Sequence, residues 1–299
     1  MEDQVVNLAI DKYGVTVVCA GDFQWGADGF CKESYQEFKW KTQKTPNVKY
    51  LLLGDYGDAY RPTMRARMRG AIDSDSHRLL DDQFRSHQDK LIDMMEFMKG
   101  KIIGLHNGHH CHIFADGTNS DQRIATALKA PYLDWIASTR LTFNRKDSNE
   151  SHIYNIVSMH GSGGGGATGA TLRFLAKQAE GYPNADHIIG GHACKSEASE
   201  PHLRNFIRER GPAGRLDRYV RLLAVGGFRR GFIKGKSGYE EIAGYIPQAI
   251  GWGEITFKMT SKKEIALARG LEYLPNARSN FLEVDHKSCH PLVDQHANE

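Results

Sequence analysis

The sequence contains no long apolar segment: no run in its 299 residues approaches the roughly 18 residues of a membrane-spanning helix. Its five cysteines are an odd number scattered along the chain, unlike the paired framework of a secreted protein. The net charge is only +3, and no internal repeat or low-complexity linker is present. These absences exclude membrane-embedded, disulfide-rich and wholly disordered classes. We expect a soluble, cytoplasmic protein that contacts no membrane.

Histidine is the residue present in unusual number, with 14 copies. Short buried-strand patterns that end at glycine followed by polar residues lie at 15–20, 49–54, 101–105, 152–160 and 187–192. Apolar residues at helical spacing mark 78–100, 121–130 and 170–180. Strands that alternate with helices predict an α/β fold whose chemistry lies at the C-terminal strand ends.

The pattern changes from about residue 218. Two successive strand-like runs, 218–228 and 251–259, predict antiparallel strands that close a second sheet. With no linker to divide the chain, we expect a single domain over 1–285. The last residues, 286–299, read as a loose polar tail.

Polar side chains follow five of the predicted strands. The segments are Gly21-Asp22-Phe23-Gln24, Gly54-Asp55-Tyr56-Gly57-Asp58, Gly108-His109-His110, His160-Gly161 and Gly191-His192-Ala193-Cys194. Because parallel strands bring their C-terminal ends to one edge, these groups should meet in one place. Carboxylate oxygens together with imidazole nitrogens suit divalent Mn, Fe or Zn, and one carboxylate can bridge two ions. The sequence therefore predicts a site for one or two metal ions.

In order and spacing, these segments resemble the five motifs of the calcineurin-like metallophosphoesterases: GDxH, GDxxD, GNH[DE], a later His, and GHxH. The resemblance covers about residues 15–260 and is greatest for the prokaryotic and phage-encoded branch that includes DNA-repair nucleases. It implies a four-layer α-β-β-α sandwich with two packed mixed sheets. It also implies a hydrolase acting on phosphoric ester bonds, in the cytoplasm of a prokaryotic cell or a phage-infected host.

The resemblance also implies a role for each matched residue. Asp22 would bind the first metal, Asp55 would bridge both ions, and the second metal would be bound by His160 and His192. His110 would be the catalytic histidine beside the leaving oxygen. Asp58, the last residue of the second motif, would hold its loop instead of contacting metal.

Four positions depart from the family pattern. Gln24 and Cys194 stand where the family has histidines of the first site, and both residue types can still coordinate metal. His109 stands where the third motif has Asn and would act as a ligand, while Cys111 replaces the acid that follows the catalytic histidine. A rival alignment makes Asn107 the ligand and His109 the catalytic residue, and we prefer the ungapped version. The neighbouring His106 and His112 could support this motif as partners of its residues, but we expect them to be exposed loop residues.

Two functional readings remain open: an active phosphoesterase, which we favour because the replaced ligands are still able to coordinate, and a catalytically impaired scaffold that binds a partner.

A third interpretation comes from Gly161, Gly163 and Gly166. They satisfy a dinucleotide-binding fingerprint, with Asp186 placed 20 residues after the last glycine. Asp186 precedes its strand instead of ending it. We therefore read the glycines as a loop that lets a phosphate chain approach the backbone.

A basic segment follows the fifth motif. Between Leu203 and Lys236 there are ten Arg and Lys and only two acids. Near the strand ends, such a segment would bind a polyanion by counterion release, with Arg229, Arg230 and Lys234 on phosphates. The interleaved aromatics Phe228, Phe232 and Tyr239 would stack on unpaired bases. A nuclease or other nucleic-acid phosphodiesterase, acting on DNA or RNA, is therefore favoured over a small-molecule phosphatase.

Overall fold

The structure is a computed structural model, and it describes residues 2–10, 14–58, 74–145, 151–162, 169–192, 197–207, 216–231, 250–261 and 280–289. Its strands are β1 (Glu2–Ile10), β2 (Val15–Ala20), β3 (Val48–Leu52), β4 (Ile102–Leu105), β5 (Ile136–Arg145), β6 (Ser151–Met159), β7 (His187–Gly190), β8 (Glu197–Ile207), β9 (Leu216–Ala224), β10 (Trp252–Ser261) and β11 (Asn280–Cys289). Its helices are α1 (Lys32–Lys44), α2 (Ser74–Met95), α3 (Ser120–Ala127) and α4 (Ala170–Gly181), and a 3₁₀ turn at Glu96–Met98 follows α2.

The strands form two mixed sheets. The five-stranded sheet has the order β11-β10-β2-β3-β4, and the six-stranded sheet has the order β1-β5-β6-β7-β9-β8. In the first sheet β2, β3 and β4 are parallel, and in the second β6, β7 and β9 are parallel. Parallel pairing aligns the strand ends: Met159 is opposite Gly190, and Gly190 is opposite Ala224. The polar segments that follow these strands therefore leave both sheets at one edge.

Three apolar clusters define the layers. One joins the facing sides of the two sheets, with Val17 and Phe257 of one sheet against Phe143 and Ile189 of the other. A second packs α1, α2 and α3 on the outer face of the five-stranded sheet, and a third packs α4 on the outer face of the six-stranded sheet. The prediction of an α/β, four-layer α-β-β-α sandwich with two packed mixed sheets is confirmed in the described part of the chain.

The helices bury the faces that their sequences predict. In α1, the buried residues Tyr35, Phe38 and Thr42 recur at helical spacing and lie on one side. Asn119 caps α3 with a side chain that accepts a hydrogen bond from the backbone of Asp121. Among the described helices, none has both the length and the apolar composition of a membrane span.

Two expectations about the C-terminal part are wrong. The runs predicted at 218–228 and 251–259 do form strands, β9 and β10, but the two strands do not close one sheet. β9 belongs to the six-stranded sheet, whereas β10 pairs with β2 in the five-stranded sheet. Residues 286–289, which we placed in a loose tail, are the end of β11, where Cys289 is opposite Trp252. The polar sequence of this edge strand lacks the apolar run by which the other strands were recognised. Residues 290–299 lie outside the described residues.

Candidate metal centre

Four non-glycine residues at the strand ends have left-handed backbones. Asp22, Gln24, Asp55 and His192 have φ angles of 48°, 46°, 54° and 67°. Each such conformation costs on the order of 1–3 kcal/mol and persists only where its surroundings enforce it. Here the backbone nitrogen of Asp22 donates to Gly54 O at 2.9 Å, and that of Gln24 donates to Asp55 O at 3.0 Å. The loops after β2 and β3 therefore hold each other in these conformations.

Among the described residues, one group of side chains has the composition of a metal site. One ligand atom from each of Asp55, His109, His160 and His192 lies within 4.8 Å of the others. His109 Nδ1 is 3.1 Å from His192 Nδ1, which is 3.3 Å from His160 Nε2. His160 Nε2 is 3.4 Å from Asp55 Oδ2. We call these four residues the centre.

The donors of the centre suit a divalent transition metal. Ligands bound to a tetrahedral zinc ion at about 2.0–2.1 Å lie about 3.3 Å from one another. The three distances that link the centre are close to this separation. Three imidazoles and one carboxylate are ligands that Zn, Fe and Mn accept. The residues present therefore fit one such ion.

His160 is oriented by the backbone. Its Nδ1 is 2.6 Å from the carbonyl oxygen of Leu53, which can only accept, so Nδ1 carries the hydrogen and Nε2 faces Asp55. Burial lowers the pKa of His160, but the hydrogen bond and charge of Asp55 outweigh burial and raise it to about 9. Burial raises the pKa of Asp55, yet the pairing with His160 brings it below its usual range. Without metal, therefore, a proton holds this pair together.

His192 and His109 behave differently from His160. Burial and repulsion by His160 lower the pKa of His192 to about 4. Burial, together with the same repulsion, lowers the pKa of His109. Both rings are therefore neutral at pH 7, which is the state that binds metal.

The loop that carries His109 and His110 approaches Asp55 so closely that only glycine fits at position 108. A Cβ atom on Gly108 would overlap the backbone nitrogen and Oδ1 of Asp55. Asp121, in the first turn of α3, holds this loop because its Oδ2 accepts a hydrogen bond from the backbone of Gly108 at 2.8 Å. Asp121 was not among the residues that we predicted from the sequence. The sequence feature that could have identified it is the helix-capping sequence Asn119-Ser120-Asp121, which starts α3 shortly after the third motif.

His110 lies beside the centre, between two carboxylates. Its Nδ1 is 3.1 Å from Asp58 Oδ1, and its Nε2 is 3.8 Å from Asp55 Oδ2. The backbone nitrogen of His110 donates to Asp55 Oδ1 at 2.8 Å. Its side chain is 18% exposed, so the ring is open to solvent on one side. A carboxylate within ion-pair distance of Nδ1, with Nε2 on the side of the centre, is an arrangement that a general acid or base can use.

Asp22 and Gln24 lie next to the centre but are not members of it. Asp22 is fully buried, and its Oδ2 accepts a hydrogen bond from the backbone of His192 at 2.9 Å. Burial raises the pKa of Asp22 to about 7. The amide oxygen of Gln24 accepts a hydrogen bond from Arg229 Nη1 at 3.2 Å. The side-chain oxygen of Gln24 is therefore paired with a guanidinium group.

The residues flanking the third motif have structural partners. The amide oxygen of Asn107 accepts a hydrogen bond from the cap residue Asn119 at 3.0 Å, whereas His109 reaches the centre. The expectation that His106 and His112 are exposed is wrong, because both are buried. His106 Nε2 lies 2.7 Å from Ser158 Oγ. His112 stacks on Phe84 with ring centroids 4.0 Å apart and is 2.9 Å from Asp81 Oδ1. The half-buried Cys111 follows His110.

The start of the predicted basic track packs against the centre's loops. The backbone nitrogen of Phe228 donates to Asp22 O at 3.0 Å, and Arg229 and Arg230 follow, both half-buried. Arg230 Nη2 is 3.8 Å from Glu33 Oε2. Phe228 is fully buried against Phe38 and other core rings, so the expectation that it stacks on bases is wrong.

Several predicted residues lie outside the described part of the chain. They are Cys194, Lys234, Phe232, Tyr239 and the glycine run from 163 to 166. Their roles stay predictions. Asp186, proposed for a dinucleotide site, accepts a hydrogen bond from the backbone of Asn155 at 2.8 Å.

No protein-family model matches this sequence, and no curated protein matches it either. Similar solved structures include the calcineurin-like phosphoesterase YfkN from Bacillus subtilis, at 12% identity and a TM-score of 0.42, over 92% of this chain and 89% of that one. Zinc-complexed Vps29 from Entamoeba histolytica is similar at 10% identity and a TM-score of 0.39, over 92% and 99%. A putative 5'-nucleotidase from Staphylococcus aureus is similar at 10% identity and 0.42, over 94% and 55%. Such values assign no activity, metal or substrate to this chain.

Proposed function

We propose that this protein is a metal-dependent phosphoesterase that hydrolyses phosphodiester bonds. The observation that carries the proposal is the convergence of Asp55, His109, His160 and His192 within 4.8 Å, with His110 directly beside them. Carboxylate and imidazole ligands with an adjacent, partly exposed histidine are the parts that metal-assisted hydrolysis needs. Mn, Fe and Zn all suit this ligand set.

The four residues of the centre would hold the ion. A divalent ion in such a site lowers the pKa of a bound water toward neutrality and polarises a phosphoryl oxygen. Asp55 Oδ1 accepts a hydrogen bond from His110 N, and His160 is fixed by Leu53 O, so the ligands are oriented before binding. A preorganised ligand set loses little entropy when it binds.

His110 would serve as the proton donor to the leaving oxygen. Asp58 lies at Nδ1, where its carboxylate stabilises the protonated ring, and Nε2 then offers its hydrogen on the side of the centre. Proton donation of this kind contributes roughly 10²–10⁴-fold to the rate. Asp58 therefore takes the part that the sequence resemblance gave to the residue after His110.

The proposed substrate is a nucleic acid, DNA or RNA. The guanidinium of Arg229 bonds to Gln24 next to the centre, and the guanidinium of the following residue, Arg230, lies 3.8 Å from Glu33. Guanidinium groups bind phosphate oxygens through paired hydrogen bonds. Lys234 and the rest of the basic segment would extend this track, and Cys194 would add a ligand if a second ion binds.

The test is to measure metal content and the hydrolysis of bis-p-nitrophenyl phosphate with added Mn²⁺. We expect bound metal and turnover in the wild type, and loss of both in Asp55→Asn. Asp186→Asn, which changes a carboxylate remote from the centre, is the matched control and should behave as wild type. Absence of metal and turnover, with Asp55→Asn indistinguishable from wild type, would refute the proposal. Metal binding without turnover would favour a partner-binding scaffold.

A further inference from the structure

Trp135 is an exposed aromatic residue beside the centre. Its side chain is 43% exposed, and its ring centroid is 5.4 Å from that of His109 at an interplanar angle of 41°. His109 is one of the four potential ligands. Trp135 directly precedes β5 and was not among the residues that we predicted to form the site.

The backbone next to Trp135 is firmly attached to the strand that carries the third motif. Leu105 N donates to Pro131 O and Leu133 N donates to Leu105 O, each at 2.9 Å, as in an added parallel strand. The carbonyl of Asp134 accepts from Asn107 N at 2.8 Å and lies 3.1 Å from His106 Nδ1.

These contacts fix Trp135 relative to His109. Burial lowers the pKa of His106 to about 4, so its ring is neutral and uses Nδ1–H to donate to Asp134 O. Asp134 has a φ of 53°, a left-handed conformation that its surroundings must enforce. The result is a large flat ring presented to solvent on a rigid support.

A second exposed tryptophan provides a contrast. Trp40 on α1 is 56% exposed, and the ammonium of Lys44 lies 3.7 Å from its ring centroid. Its helix packs on the outer face of the five-stranded sheet. Trp135, in contrast, lies at the edge where the strand ends meet. Phe228, the aromatic that we expected to stack on bases, is buried and has no free face.

We propose that Trp135 stacks on the base of the nucleotide whose phosphate lies at the centre. The proposal rests on the proposed function and specifies its substrate: a phosphoester that carries a planar heterocycle within one nucleotide of the reacting phosphate. Every base has a π-face, so such a stack tolerates any base sequence. Trp135 thus positions the substrate and takes no part in proton transfer.

The test measures binding in a chelating buffer, where no hydrolysis occurs. The probes are a thymidine tetranucleotide, the same tetranucleotide without bases, and thymidine 5'-monophosphate. We expect Trp135→Ala to weaken binding of the tetranucleotide roughly 5- to 100-fold, the range for losing one base–aromatic stack. The baseless strand should bind wild type and variant equally. Tetranucleotide binding should quench tryptophan emission in wild type and less so in Trp135→Phe.

Controls separate this proposal from others. Trp40→Ala should bind all probes as wild type does. Trp135→Phe should retain most of the affinity and Trp135→Leu should lose it, which covers the case that the alanine variant does not fold. Similar affinity for the mononucleotide and the tetranucleotide identifies a nucleotide as the ligand, and tighter binding of the tetranucleotide identifies a strand.

Equal loss of affinity for the strands with and without bases, or no loss for either, would overturn the role of Trp135. Because this test needs neither metal nor turnover, its outcome is independent of the hydrolysis test. Hydrolysis without stacking would refute the role of Trp135 alone. Stacking without hydrolysis would refute the enzyme alone.

Discussion

Asp58 places a carboxylate oxygen 3.1 Å from Nδ1 of His110. The two residues come from loops after β3 and β4, which are adjacent parallel strands. Cys111, the residue directly after His110, stands where the family pattern has an acid, so no carboxylate comes from that position. The neighbouring strand supplies a carboxylate instead.

Asp58→Asn should therefore reduce turnover more than substrate affinity. A residue that orients a catalytic group typically contributes about 10–100-fold, and we expect a fall in kcat of that size with a small change in KM. The pH–rate profile should also shift, since the carboxylate stabilises the protonated ring. Steady-state kinetics from pH 5 to 9 would measure both effects. An unchanged profile in the variant would show that the contact is only structural.

Metal binding should stabilise the fold by an amount that grows with the logarithm of the ion concentration divided by Kd. At an ion concentration 100 times Kd, the free energy of unfolding should rise by about 2.7 kcal/mol. His160→Ala removes a buried ligand and should abolish this gain in thermal unfolding experiments with Mn²⁺ or Zn²⁺. His152→Ala, at the opposite end of β6, is the control and should keep it. Equal gains in both variants would contradict the assignment of the centre.

Gly108→Ala should disrupt the centre. The added methyl group would overlap the backbone nitrogen and Oδ1 of Asp55, so either the loop or the carboxylate must move. We expect loss of bound metal, measured by elemental analysis, together with reduced stability. Gly181→Ala is the control because an added Cβ there meets no atom within 4 Å. Full metal content in Gly108→Ala would show that the loop can move without loss of metal binding.

Asp121 should make stability fall as pH rises. Burial raises its pKa from 3.8 to about 7, so across this window the native state binds more protons than the unfolded chain. The free energy of unfolding therefore declines as pH increases from about 4 to 7. Asp121→Asn keeps an oxygen for Gly108 N and lacks the charge, so in chelator at pH 8 it should be more stable than wild type by about 2–4 kcal/mol.

Denaturant unfolding at several pH values would measure the Asp121 effect. The exposed Asp82→Asn on α2 serves as control and should follow the wild-type curve. If the free energy of unfolding of Asp121→Asn depended on pH as it does in wild type, the carboxyl of Asp121 would stay charged in the native protein.

Replacing Arg229 and Arg230 by Ala should weaken single-stranded DNA binding and its salt dependence. If each guanidinium neutralises one phosphate, the slope of log K against log salt should decrease by about 1.4, the single-strand value for two contacts. Arg140→Ala, on an exposed position of β5, should leave binding unchanged. Fluorescence anisotropy of labelled DNA at 50 to 300 mM salt would measure this slope. The range includes the salt concentration at which the screening length is roughly 10 Å. An unaltered slope in the double variant would show that neither Arg229 nor Arg230 contacts a phosphate of the bound strand.

The sequence was sufficient to predict the strands that lead into the site. Runs such as Val15–Ala20 are buried on both faces, so they read as apolar segments, and their parallel pairing brings the following polar residues together. The contact of His110 with Asp58 and the support from Asp121 depend on loop geometry, which apolar spacing does not encode. β1 was missed because it is an edge strand in which alternate residues such as Asp3, Val5 and Asn7 are exposed, so it contains no continuous apolar run.

The bonds at the strand ends also cross from one sheet to the other. His192, after β7, donates to Asp22, after β2; His160, after β6, bonds to Leu53, after β3. The two sheets therefore cannot separate without dismantling the centre. Unfolding should thus be a single concerted event for both sheets, and a bound ligand should slow amide hydrogen exchange across the whole sandwich instead of only around its own contacts.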